Sequence, residues 1–362
     1  MQFRPGGRKG YTRVEVMAAA VAGSLLVGVV APTLGGARGA ARITLCEDVL
    51  KGIGLDLMIY TTENEEWFPG VNTTGVNIRA KQVLSAGDPE VLNDSALPVQ
   101  NFDWMTPLAA HDLELPENRA ERWQAVWDRY RCPAQTAETG LYCPSAPDCE
   151  DFAAYDWTAT SYLMPVHFSY WGTNDETTVV GTMEGPGYPI HATVVPSSWE
   201  VTYADYRSRL GYISKPARKV FVADGTRYVM AGGSTDIDVT PYPVYFGAFT
   251  TSGTWWPGGN AYGVKEGSLN WDGDPVTDGS VSEGLNLLCS YRHPGTPRPS
   301  TDPLFTGDAH QNYGGINALA FDGHLERLHD RTSREIDRWY PSGAVVQQGV
   351  GMTTEDEGFI VP

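Results

Sequence analysis
Basic residues and cysteines are both scarce in this chain. Its 26 lysines and arginines stand against 44 aspartates and glutamates, a formal net charge of -18 over 362 residues. Such a balance repels nucleic acid phosphates and anionic membrane faces, so a nucleic acid partner is not expected. Five cysteines, Cys46, Cys132, Cys143, Cys149 and Cys289, are too few for a disulfide scaffold of this size. No C-x-x-C pair of the structural zinc kind occurs among them, although one or two disulfides fit a body outside the cytoplasm. Also missing are G-x-S-x-G, H-E-x-x-H and a phosphate-binding loop; the common hydrolase and nucleotide-binding signatures are therefore without support, and no catalytic residue is assigned. What is plentiful is glycine (40), proline (25), tyrosine (18) and tryptophan (11). That mixture points to short strands joined by turns and long loops, a β-rich body in place of a helical bundle.

The N-terminus differs from the rest. Arg4, Arg8 and Lys9 precede a stretch, 14–34, that is apolar except for Glu15, Ser24, Thr33 and some glycines. A basic flank before an apolar span sets the N-terminus on the cytoplasmic side. The uninterrupted part, 16–31, makes only about 24 Å of helix, against a hydrocarbon core of about 30 Å. A cleaved secretory signal is the first rival, but no clean A-x-A site follows Ala31, where the chain reads Pro32-Thr33-Leu34-Gly35-Gly36. Glu15 needs its own explanation, because a carboxylate within a membrane span is costly unless paired or neutralised.

Gly10-Tyr11-Thr12-Arg13-Val14-Glu15 resembles the cleavage and methylation motif of type IV prepilins and type II secretion pseudopilins. The resemblance implies that a membrane peptidase cuts after Gly10 and methylates the amine of Tyr11. Glu15 then takes the family's glutamate position and Pro32 that of its helix-kinking proline. Tyr11 stands where phenylalanine is usual, and Arg13 where an apolar residue is. A free Tyr11 amine on one subunit can pair with Glu15 of a neighbour, turning an insertion penalty into an assembly preference.

Beyond the membrane segment, apolar or small residues recur at Cys46, Leu50, Ile53, Gly54, Leu57 and Tyr60. This three-and-four spacing lines one face of a helix that should pack on a sheet. Arg38, Arg42, Glu47, Asp48, Lys51 and Asp56 are expected mostly on other faces. The run from Ala41 through Leu50-Lys51-Gly52-Ile53-Gly54 to Tyr60 is similar to a branch of large pilin-like proteins abundant in planctomycete-type bacteria. Further on, Trp123 to Tyr130 reads as a short helix, followed by a loop holding Cys132, Cys143 and Cys149. Cys132 and Cys143 enclose a short loop and form one candidate disulfide, with free or differently paired thiols as alternatives. Cys46 reads as a buried small hydrophobe.

Lys215 to Asp224 reads as a turn feeding a buried strand that ends in an acidic residue. Gly314 to Leu325 holds two apolar runs around Asp322-Gly323, the pattern of a β-hairpin with a two-residue type I′ turn. It also resembles the branch's C-terminal ending; the two family-like blocks cover about a quarter of the chain. His293, His310, Asp322 and His324 could form a metal cluster, but hydrogen-bonded turn capping is the better account. Asp272, Asp274, Asp278, Ser280 and Glu283 place oxygens at positions 1, 3, 7, 9 and 12 of a calcium-type loop. The loop lacks the acidic fifth position and the sixth-position glycine of an EF-hand, and a solvated acidic loop is its plain alternative. Trp255-Trp256 could stack on sugars, though tryptophans more often pack in cores. The tail from Thr353 to Pro362 reads as a flexible acidic end.

The expected architecture is α+β and pilin-like. A leader (1–10), a transmembrane helix half (11–34) and a head-packing half (35–62) precede a β-rich globular head (63–330) and a tail (331–362). The resemblance implies a filament subunit, not an enzyme, in the inner (cytoplasmic) membrane with a single pass and its head outside. Its partners would be a prepilin peptidase, other pilin-like subunits and an inner-membrane assembly platform. The competing class is a membrane-anchored hydrolase or carbohydrate-binding protein of the cell envelope.

Overall fold
The computed structural model describes residues 41–69, 92–100, 102–133, 135, 138–143, 146–169, 206–227, 229–231, 234–241, 248–251, 314–328, 335–346 and 360–362, together with short pieces between and before them. The chain divides into two compact units, Met1–Thr44 and Leu45–Pro362. The larger unit, Leu45–Pro362, carries the described strands and is termed the head.

A helix runs through 41–63. In the head, Cys46, Leu50, Ile53 and Leu57 are all fully buried, and Gly54 is buried with them, while Tyr60 is half-buried. Each large aliphatic on that face contributes about 2 kcal/mol relative to exposure. The face meets the hairpin strand Gly314–Ala320: a Cβ at Gly54 would come within 3.1 Å of Leu319 Cδ1. The small residue therefore sets the helix-to-sheet distance. Asp56 departs from expectation, since it is 2% exposed and on the packed side.

The strands form two main sheets. The larger, of seven strands, runs Thr250–Thr251, Tyr162–Pro165, Val220–Arg227, Gly314–Ala320, His293–Pro294, with Leu287–Cys289 and Leu325–Leu328 paired at its sides. Within this larger sheet, among the described residues, only the Thr250–Thr251 pairing to Met164 and Pro165 is parallel. Val220 to Ala223 are buried, as the turn-then-strand pattern implies, but the strand continues through the buried Asp224 to Arg227. Asp224 Oδ2 accepts the Asn317 backbone N–H at 2.6 Å, which settles a carboxylate inside the sheet. The smaller sheet orders Trp157–Thr158, Glu138–Tyr142, Ser234–Asp238 and Val229–Ala231.

Aromatic rings fill the space beside these sheets. The helix Arg119–Arg129 is capped by Asn118, whose side chain accepts the Ala120 and Glu121 N–H groups. It delivers Trp123 and Trp127 onto Phe249, Trp157 and, for Trp123, Phe152, with ring centroids 5.0–6.4 Å apart. Phe321 stacks with Phe68, Phe168 and Phe221 in a second cluster.

The structure departs from three expectations. The expected bridge between Cys132 and Cys143 does not form: Cys46 pairs with Cys132, and Cys143 with Cys149. The helix seats Cys46 with its Cα 4.9 Å from that of Cys132, inside the usual range of about 4.4–6.8 Å, a proximity that spacing along the chain does not reveal. With a sequence separation of 86, the bridge stabilises the head by about 4–5 kcal/mol in the chain-entropy account.

The hairpin turn is also not type I′. Gly323 has φ 88, whereas Asp322 is not among the positive-φ residues. The Gly323 N–H donates to the Ala320 carbonyl at 2.9 Å and the Ala320 N–H to the His324 carbonyl at 2.9 Å. Phe321-Asp322-Gly323 is thus a three-residue loop with a left-handed glycine at its end. Phe321 occupies a turn position because its ring is drawn into the core, where it is 1% exposed. Replacing Gly323 with Val is expected to cost more than about 1 kcal/mol, since positive φ is a steric outlier for a β-branched side chain. Unchanged thermal unfolding would contradict this.

Finally, the tail does not end free. Val361 is 1% exposed and exchanges hydrogen bonds with Gly343 and Ala344 at 2.8 and 2.9 Å. Glu355, Asp356 and Glu357 lie outside the described residues.

Candidate functional site
The cleavage, methylation and assembly positions Gly10, Tyr11, Glu15 and Pro32 lie outside the described residues, as do Asp272, Asp274, Asp278, Glu283, His310 and Trp255-Trp256. His293 is placed in a strand beside Gly315, and Val16 and Met17 are helical and exposed. Among the described residues no group of three or more His, Cys, Asp or Glu side chains could hold a metal ion, and no helix is long and apolar enough to cross a membrane.

Asp322 and His324 sit together at the hairpin tip, where Asp322 Oδ1 meets His324 Nδ1 at 2.5 Å and accepts the His324 backbone N–H at 3.2 Å. Partial burial pushes the Asp322 carboxyl up, but these bonds to His324 outweigh it and hold the carboxyl below its ordinary value. This is turn capping.

The helix 41–63 is the element on which the functional geometry concentrates, because its two sides differ. On the packed side Asp56, with its side chain 3% exposed, accepts the Tyr130 hydroxyl at 2.7 Å. His111 Nε2 lies 2.8 Å from Asp56 Oδ1, and Arg129 Nη2 3.2 Å from Oδ2. Arg129 also pairs with Asp112 at 2.8 Å. Burial pushes the Tyr130 phenol well above its ordinary value, and the Asp56 charge adds to that, so the phenol stays a donor. For Arg129 burial works downward, but Tyr130 and Asp56 outweigh it and raise its pKa. With three donors on one carboxylate, Asp56 is built to hold the helix against the segment 111–130. Sequence reasoning missed this clamp, since its partners lie 55 to 74 residues away.

Above the clamp, the Cys46–Cys132 bridge and a 3.0 Å hydrogen bond from the Tyr162 hydroxyl to the Cys46 carbonyl fasten the start of the same helix face. The opposite side carries Leu45 at 50% and Leu55 at 63% exposure. Between them, nothing lies within 4 Å of where a Gly52 Cβ would be, and half-buried Ile59 extends the strip. Asp48 lies within this strip, at helical spacing from Leu45, Gly52 and Leu55, and forms an exposed ion pair with Lys51 at 2.9 Å. Leu45 and Leu55 are thus exposed on an outer side that also carries Arg42, Thr44, Asp48, Lys51, Thr62 and Glu63.

No protein-family model matches the chain, and no curated protein or solved structure is similar to it at a significant level.

Proposed function
We propose that this protein is a structural subunit of a type II secretion or type IV pilus-like filament, cut by a prepilin peptidase after Gly10 and anchored through its N-terminal apolar segment. It works by stacking and presents its head outside the inner membrane, not by catalysis. The observation that carries this reading furthest in the described residues is the two-sided helix. One side is fastened to the head by a disulfide, a clamp and a buried stripe; the other exposes Leu45 and Leu55 among polar residues. Two disulfides in the head support a location in an oxidising compartment. A membrane-anchored hydrolase or sugar-binding protein would need neither the Gly10-Tyr11 junction nor Glu15.

The outer side gives a test that the head's own stability does not confound. Leu55→Glu should leave the melting temperature within about 2 °C, because Leu55 is mostly in water already. In cells with the cognate assembly proteins, however, the sheared high-molecular-weight fraction should fall severalfold, as a charge is then buried against a neighbouring subunit. Equal incorporation of Leu55→Glu and wild type would count against the proposal.

A further inference from the structure
Both sulfurs of the Cys46–Cys132 bridge belong to residues with no exposed surface, whereas Cys143 and Cys149 are half-buried. An oxidant cannot reach a thiol that water does not touch. Cys46 is also the second residue of the larger unit, placed one turn before Leu50, while the Asp56 clamp acts on the later turns. The bridge and the clamp bind the same helix to the same segment, since Tyr130 and Cys132 are two residues apart. They use different chemistry, one redox and one ionic.

From this we infer that a thiol–disulfide oxidant closes Cys46–Cys132 while the helix is still undocked, and that the closed bridge thereafter locks the first turns of the helix while the Asp56 clamp independently holds the later ones. In the closing step one cysteine thiolate attacks a disulfide of the oxidant, forming a mixed disulfide and releasing one oxidant thiol. The second cysteine thiolate then displaces the remaining oxidant sulfur and forms the S–S bond. Two electrons pass to the oxidant, whose disulfide ends as two thiols carrying the two protons the cysteines gave up. The partner is therefore a disulfide donor that works on chain whose helix has not yet docked. An unoxidised head keeps, at the start of this helix, only the Tyr162–Cys46 hydrogen bond and the packing of Leu50. This inference stands apart from the filament role, since it concerns how the head closes and not what it joins.

The test uses the full-length chain in detergent. Amide exchange is compared for wild type, Cys46→Ala/Cys132→Ala and Cys143→Ala/Cys149→Ala. In the first variant, the acceleration of exchange at amides 46–50 should exceed that at 56–60 by at least about tenfold; the second variant should show no such difference between the two stretches. Unchanged exchange at 46–50, loss of protection along the whole helix, or failure of the first variant to fold would each overturn the two-part lock. Separately, reduced wild-type chain is refolded with oxidised glutathione present from the start, or added only after folding. The bridge should form at least about tenfold faster in the first case. Equal rates would overturn the order of closure.

Discussion
Replacing Arg119 with methionine is expected to destabilise the head by about 3–5 kcal/mol, the usual cost of removing one partner from a buried ion pair. Arg119 and Asp148 have side chains only 0% and 3% exposed, and the guanidinium meets both carboxylate oxygens at 2.6 Å. The same group donates to the Val99 and Val239 carbonyls at 2.9 Å and lies 4.6 Å from the Phe152 ring centre. Methionine keeps much of the stem's packing but strands the Asp148 charge and two buried carbonyls. Because Arg119 joins elements as distant as Val99, Asp148 and Val239, its loss should appear as a lower urea midpoint of the whole head. A shift equivalent to less than about 1 kcal/mol would mean that water reaches Asp148.

Glu15→Leu is expected to act on assembly and to leave the head folded. A carboxylate in a membrane span costs about 2.5–3.5 kcal/mol by insertion measurements, so the variant should enter the membrane at least as well as the wild type. In the proposed filament that cost is offset only when Glu15 pairs with the Tyr11 amine of a neighbour. Removing the carboxylate removes both the penalty and the reason for a fixed stagger between subunits. The sheared filament fraction should therefore collapse while membrane-retained monomer rises. Equal incorporation of the two forms would leave Glu15 without a role and favour a plain anchor.

The residues that sequence placed well are those whose signal is local. Cys46, Leu50, Ile53, Gly54 and Leu57 repeat with the helical period, and the structure buries all five. The hairpin around Gly323 was legible as a hairpin because a positive-φ glycine between two apolar runs leaves little else. Its turn type was not, since whether Phe321 joins the strand or the loop depends on Phe68, Phe168 and Phe221 from distant segments. Asp56 was misplaced for a related reason. One helical step from Leu57, it looks like a solvated carboxylate until Tyr130, His111 and Arg129 are brought to it. The cysteines show the same limit, as Cys46 and Cys132 are separated by 86 in sequence, and spacing alone leaves connectivity open.

The central claim is that this chain is a processed pilin-like subunit, and the N-terminus of the protein recovered from the membranes of its native host tests it most directly. Mass spectrometry should find a peptide beginning at Tyr11 with a methylated amine and no trace of the preceding Arg8-Lys9-Gly10. The cut at Gly10 places Glu15 and Pro32 in the register that the proposed assembly needs, so no other start serves. Mature membrane protein that still carries residues 1–9, or that begins beyond Ala31, would contradict the claim.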